Sequence, residues 1–433
     1  MSFTASAFQN EYLPAGAGEV HAIVTVSSSD DVSTTTTREK VVVFILDNSG
    51  SMSMPEAKIR AARQAVATAI SLLPDGTFFA VIAGSHVAVG IYPRFDRGLR
   101  LAQADAATRD EAMKVVRRIP SEGGTAISTW LDVARALFEL KPNAIRLAYL
   151  LTDGKNESEE PELLRAALDR CIGVFQCDAR GVGSDWAVDE LRLITSTLLG
   201  EVDIIATPDE MDDDFQAFLE RAIGKTVADV QLRVWSPLGS TVKFVRQVAP
   251  TIEDLTDRRA PVDDRSGDYP TGAWGGGESR DYHVCVEVPP GEVGAEKLAA
   301  RVGLVVDGEV VSQALVKAIW TDDEALSTRI SPQVAHYTGQ EELAVAIHEG
   351  LEAKKQGNEA TATVKLGRAV QLAHESGNEG TVRLLKKVVD VEDPATGTVR
   401  LKRAVEALDE MALDTRSTRT VRVGKAPTAG EGA

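Results

Sequence analysis

Between Lys40 and Ala222, short and almost uninterrupted apolar runs alternate with stretches of helical period, and this alternation restricts the region to an α/β layout. The runs are VVVFIL (41–46), FFAVIAG (78–84), RLAYLL (146–151), VFQCDA (174–179) and DIIA (203–206). A strand that is apolar at nearly every position has both faces covered, so the pattern predicts a doubly wound, mostly parallel sheet between helices. HVAVGIY (86–92) follows the second run too closely for a helical crossover and is expected to pair antiparallel at an edge. Just past Pro55, Ile59, Ala62, Val66, Ile70 and Leu73 recur at three- and four-residue steps, which predicts the first helix.

Beyond Lys225 the period falls to two. Val230, Leu232 and Val234, then Val284, Val286 and Val288, then Val302, Leu304 and Val306 ahead of Asp307-Gly308 read as half-buried antiparallel strands, hence a β-sandwich. Val20, Ala22, Val24 and Val26 alternate in the same way, so an early strand is expected to join that sandwich and make it discontinuous in sequence. The acidic, Gly- and Pro-rich stretch between Ala249 and Asp281 is expected to be a mobile loop. From Gly339 to Met411 helical period returns, with Leu401, Val405 and Leu408 on one stripe. GNE recurs at Gly357 and Gly377, each a glycine stop followed by an Asn N-cap. The expected organisation is 1–37 with the early strand, 38–223 α/β, 224–322 sandwich, 323–412 helical bundle or hairpin, and 413–433 a disordered basic tail.

At 433 residues, with 43% hydrophobic and 26% charged, the chain has the composition of a globular multi-domain protein. Lys and Arg total 47 against 65 for Asp and Glu, and a net charge of -18 argues against nucleic acid and against an anionic membrane surface as partners. No apolar run reaches membrane-spanning length and no secretory signal is visible at the start, which gives a cytoplasmic expectation. Cys171, Cys177 and Cys285 lack CxxC spacing and read as core thiols; the six histidines are scattered, with no HExxH, so no zinc ligands are visible.

The chemistry concentrates where FILDNSGSM (44–52) leaves the first strand: Asp47, Ser49 and Ser51 stand at the carboxyl end of a parallel strand, where open α/β sheets bind ligands. Two further segments are expected at the same edge, GGT (123–125) opening a helix and LLTDG (150–154) closing the RLAYLL strand, which add Thr125 and Asp153. Carboxylates and hydroxyls form a hard oxygen donor set, suited to magnesium or manganese rather than zinc or copper, and few protein ligands leave room for an outside oxygen. DNSGS, GGT and LLTDG, in this order and at these strand ends, resemble a von Willebrand factor type A domain with its metal-ion-dependent adhesion site. The resemblance covers about residues 38 to 223. It implies a Rossmann-like fold, a divalent ion (Mg2+, or Mn2+ or Ca2+) at Asp47, Ser49, Ser51, Thr125 and Asp153, and a partner protein that supplies an acidic side chain.

TRSTRTVRV (415–423) places Thr415, Thr418 and Thr420 among arginines in a segment expected to be accessible, a pattern that phosphorylation could convert into a docking signal. Resemblance to actinobacterial-type relatives implies a Ser/Thr kinase and a forkhead-associated domain protein as partners there. The leading expectation is a non-enzymatic interaction module. The alternatives are a metal-assisted hydrolase, an accessory subunit of a metal-inserting ATPase, or a scaffold held by its metal. Catalysis would want a general base, for which His86 and Asp185 are the only loose candidates.

Overall fold

The computed structural model describes residues 2–30 and 38–423. Its central sheet runs, in spatial order, Val202–Ile205, Gln176–Val182, Ile145–Thr152, Lys40–Asp47, Phe78–Gly84 and Ala88–Tyr92, with Ala102–Gln103 also paired to Phe78–Gly84. The first five strands are mutually parallel, and Ala88–Tyr92 is the antiparallel edge strand that its short connection required. Strand periodicity divides Lys40–Asp47 between two cores. Val42, Phe44 and Leu46 pack with Ile59, Val66 and Phe215 of the helices Ala57–Leu72 and Met211–Gly224, whereas Val41, Val43 and Ile45 pack with Trp130, Leu131 and Leu164 on the other face.

The second body is a two-sheet sandwich. One sheet runs Phe3–Gln9, Glu19–Ser28, Ser279–Glu287, Thr241–Ala249 and Glu253–Asp254; the other contains Ser266–Gly275, Lys225–Trp235, Glu296–Val306 and Glu309–Thr321 with two short edge strands. The early strand does enter it: Val20, Ala22, Val24 and Val26 face Val230, Leu232, Trp274 and Tyr282 in one core. The stretch between Ala249 and Asp281 is not a mobile loop. It holds the strand Ser266–Gly275, which pairs with Lys225–Trp235 through three register shifts and buries Tyr269 and Trp274. Its glycines had hidden a strand whose apolar positions are two aromatics separated by a bulge.

Toward the C-terminus the helices Pro332–Lys355, Glu359–Glu375 and Glu379–Val388 pack on one another. Gly357 (φ 76°) and Gly377 (φ 67°) stop their helices in the left-handed conformation, and Asn358 and Asn378 accept from the amides of Thr361 and Thr381 to start the next ones. Leu401 departs from the expected helical stripe. It lies in the strand Thr398–Leu401, paired with Val389–Asp393, because Val389, Val391 and Val399 favour a hairpin over a helix there. Among the described residues no helix is long and apolar enough to cross a membrane.

The tail also differs from expectation as far as it is described. Residues 424–433 lie outside the described residues, but 413–423 are docked, with Leu413 and Thr415 buried at the end of the helix Ala407–Thr415. Arg416 and Arg419 both donate to the buried carboxylate of Asp203, at 2.8 and 2.6 Å. Thr420 donates through its amide to Pro250 and through its hydroxyl to Val248, and Val421 exchanges hydrogen bonds with Gln340. The segment thus joins the α/β sheet, the sandwich and the helices. Its basic composition had hidden acidic partners distant in sequence.

Candidate metal centre

The three sequence segments meet at the carboxyl edge of the central sheet. Lys40–Asp47 ends in Asp47, a 3-10 turn over Gly50–Ser53 carries Ser51, and the helix Ile127–Phe138 begins two residues after Thr125. Asp153 follows the strand Ile145–Thr152, the immediate neighbour of Lys40–Asp47 in the sheet. The loops are tied through backbone: Gly50 donates to Gly123, Glu122 donates to Asn48, and the Ser121 hydroxyl donates to the carbonyl of Ser49.

The oxygens converge. Ser49 Oγ and Ser51 Oγ are 3.0 Å apart, and Ser51 donates to Asp153 Oδ1 at 2.6 Å. Ser51 Oγ and Thr125 Oγ1 lie 3.4 and 3.5 Å from the point a Cβ on Gly154 would occupy, so the glycine leaves the space between them open. Asp47 and Asp153 are fully buried, and Ser49 and Thr125 nearly so. A buried set made only of carboxylate and hydroxyl oxygens matches a hard divalent cation, so these residues fit the ion that such a loop cluster implies.

The two aspartates are satisfied differently. Asp47 Oδ1 accepts from the amide of Ser49 at 2.7 Å and Oδ2 from the hydroxyl of Thr152 at 2.5 Å. Burial pushes its pKa from 3.8 up to about 6, against the opposing hydrogen bonds from Ser49 and Thr152. Asp153 instead meets a cation of the chain itself: Lys58 Nζ sits 2.8 Å from its Oδ2, with Asp185 3.9 Å from the same ammonium. Neither Lys58 nor Thr152 was singled out from the sequence. A signal for Lys58 was present, since it shares the buried stripe of its helix with Ala62, Ala65 and Ala69, where a charge needs a buried partner. Thr152 carried none beyond its place beside Asp153.

The raised Asp47 value gives a signed expectation. The folded chain keeps this proton up to about pH 6 whereas the unfolded chain loses it near 3.8, so in chelator the contribution is best below 3.8 and declines until about 6. The decline is about 3 kcal/mol, and Asp47→Asn should remove it, which urea unfolding from pH 4 to 8 would measure. Binding of a divalent cation by these oxygens would run the other way, because it needs the carboxylate: its affinity should fall by roughly tenfold per unit below about pH 6.

His86 packs against Gly123 at the rim and, among the described residues, hydrogen-bonds none of the five; Asp185 reaches the site only through Lys58. The histidines are not all scattered, however. His21 and His283, remote in sequence, lie 3.1 Å apart on the sandwich, with the buried thiol of Cys285 beside them.

Comparison with known proteins supports the assignment of the fold. Residues 40–203 match the von Willebrand factor type A domain, and residues 371–417 match the von Willebrand factor type A C-terminal domain. The solved structure of the von Willebrand factor type A protein from Catenulispora acidiphila is 48% identical, covering 98% of this chain and 97% of that one with a TM-score of 0.92. The ArnB paralog VWA2 from Sulfolobus acidocaldarius, at 15% identity and TM-score 0.56 over 98% of this chain and 99% of that one, shares the fold. Among curated proteins no relative matches. Domains of this type often mediate protein–protein interaction through a metal-dependent adhesion site and are generally non-catalytic. By its near-complete overlap with a solved relative at this identity, the chain belongs to the von Willebrand factor type A family.

Proposed function

We propose that this protein is a non-enzymatic interaction module in which Asp47, Ser49, Ser51, Thr125 and Asp153 hold Mg2+, or Mn2+ or Ca2+ in its place. The observation that carries this reading is the convergence of five oxygen-bearing side chains, two of them fully buried carboxylates, at the ligand-binding edge of the sheet. The ion would offer an open coordination position to a carboxylate of a partner protein. Lys58 holds the charge of Asp153 when no ion is bound, so the loops keep their arrangement without collapsing or repelling. Ser51 bridges from Ser49 to Asp153 and fixes the spacing of the donors. The hydrolase and ATPase-accessory alternatives want a general base on the site, and among the described residues His86 and Asp185 make no hydrogen bond to the five.

A cytoplasmic setting fits the three free thiols. A phosphothreonine switch at Thr415, Thr418 or Thr420, read by a forkhead-associated domain, requires undocking first, since Thr415 is buried and the Thr420 hydroxyl is bound to Val248.

The test is retention of partners from native lysate on the full chain in Mg2+ and in chelator. Bound proteins should be lost in chelator and lost on Asp47→Ala in Mg2+, with an unchanged circular dichroism spectrum. Equal retention under all conditions would overturn the reading.

A further inference from the structure

The sandwich carries a second donor cluster, unlike the first in chemistry. Glu19 and His21 lie on the strand Glu19–Ser28, and Cys285 lies directly opposite His21 on Ser279–Glu287. Strand alternation sends Val20, Ala22, Val284 and Val286 into the sandwich core and leaves Glu19, His21, His283 and Cys285 together on the opposite face of the sheet, where His283 and Cys285 are buried and Glu19 is exposed. His21 Nε2 is 2.8 Å from Glu19 Oε1 and 3.9 Å from Cys285 Sγ, and the three donor atoms all lie within 4.8 Å of one another. Tetrahedral ligands about 2.0–2.3 Å from a zinc ion stand roughly 3.3–3.7 Å apart, so the cluster needs only a small rotation of the exposed Glu19 side chain, which now hydrogen-bonds His21, to admit one.

Behind the cluster lies a chain of groups that fits the role of orienting a metal-bound imidazole. His21 Nδ1 is 3.1 Å from His283 Nε2, so an imidazole that binds metal through Nε2 can donate its Nδ1 proton to His283. His283, 2% exposed, then faces Glu341: its Nδ1 is 3.7 Å from Glu341 Oε1, and among the described residues neither atom has a hydrogen-bond partner. Arg246 holds the other oxygen of Glu341 at 3.3 Å, and the Phe244 ring stands edge-on to His283 with centroids 4.8 Å apart.

We infer that Glu19, His21 and Cys285 form a transition-metal site, zinc in kind, separate from the oxygen-only loop cluster and oriented through His283. The reason is donor chemistry: one sulfur, one imidazole nitrogen and one carboxylate oxygen select zinc over magnesium, whereas the loop cluster offers oxygen alone. Three protein donors leave a fourth position for water. The ion links an N-terminal strand to a strand 264 residues away, so it acts as a clamp on the discontinuous sandwich.

The test uses the full chain, stripped with chelator and loaded with Co2+ or Zn2+ alone. Co2+ should give a thiolate-to-cobalt charge-transfer band in the wild type and equally in Asp47→Asn, since the loop cluster has no sulfur; Cys285→Ser should lose it. Zn2+ at about a hundredfold excess over its Kd should raise the Tm by roughly 3 °C. His21→Gln and Glu19→Gln should each weaken Zn2+ binding at least about tenfold, and His283→Phe about tenfold through the lost partner of His21 Nδ1. Glu19 is exposed, so Glu19→Gln keeps the test decisive should Cys285→Ser fail to fold. Absence of the band in the wild type, its survival in Cys285→Ser, or unchanged Zn2+ affinity in Glu19→Gln and His21→Gln would overturn the assignment.

Discussion

In chelator, Asp153→Ala is expected to lose about 3 kcal/mol or more of unfolding free energy, because it leaves the Lys58 ammonium buried without its near partner. Lys58 is 11% exposed in its side chain and Asp153 not at all, so water cannot take over the lost contact. Asp185 compensates little: it is 3.9 Å away and largely exposed. The double variant Lys58→Met with Asp153→Ala should recover most of the loss, since a packed apolar side chain carries no desolvation cost in place of an unpaired charge. Urea unfolding of the two single variants and the double variant measures this directly. Full additivity of the single losses would mean the pair does not interact. At the proposed cation site, Lys58→Met alone should tighten divalent-ion binding by at least about tenfold, as an ion would no longer displace an ammonium from Asp153.

The second large effect concerns the docked tail. Asp203 is buried and accepts from both Arg416 and Arg419. Burial alone would raise its pKa, yet Arg419 and Arg416 hold it below the usual carboxylate value. A depressed carboxylate stabilises above its unfolded pKa of 3.8 and loses that contribution as the pH falls through the folded value, so the tail should loosen only in acid. Asp203→Ala should loosen it at neutral pH, at a cost of about 2–3 kcal/mol after allowing for the partial exposure of both arginines. Hydrogen exchange at Arg416 to Val421 should then accelerate, and phosphorylation of Thr415, Thr418 and Thr420 by an added Ser/Thr kinase should rise roughly tenfold or more. Unchanged exchange would show that Thr420 and Val421 hold the segment without the ion pairs.

The site and the tail differ in how far the sequence exposes them. Asp47, Ser49, Ser51, Thr125 and Asp153 stand next to strand ends, and strand ends are visible as the last residues of apolar runs; order and spacing then bring the segments together. Lys58, by contrast, reaches Asp153 across 95 residues, and its pairing depends on how the first helix lies on the sheet. The Ser266–Gly275 strand was hidden for a related reason. Its glycines and bulge break the alternation by which strands are recognised, and only the partner strand Lys225–Trp235 makes it extended.

Local patterning by itself determined the α/β class, the discontinuous sandwich, the asparagine caps after Gly357 and Gly377, and the edge at which polar side chains gather, because each follows from periodicity or a short-range hydrogen bond. Tertiary structure alone decided that Lys58 neutralises Asp153, that Asp203 captures Arg416 and Arg419, and that His21 meets Cys285. Each of these joins side chains whose distance apart is set by packing between whole elements, and no periodicity encodes that distance.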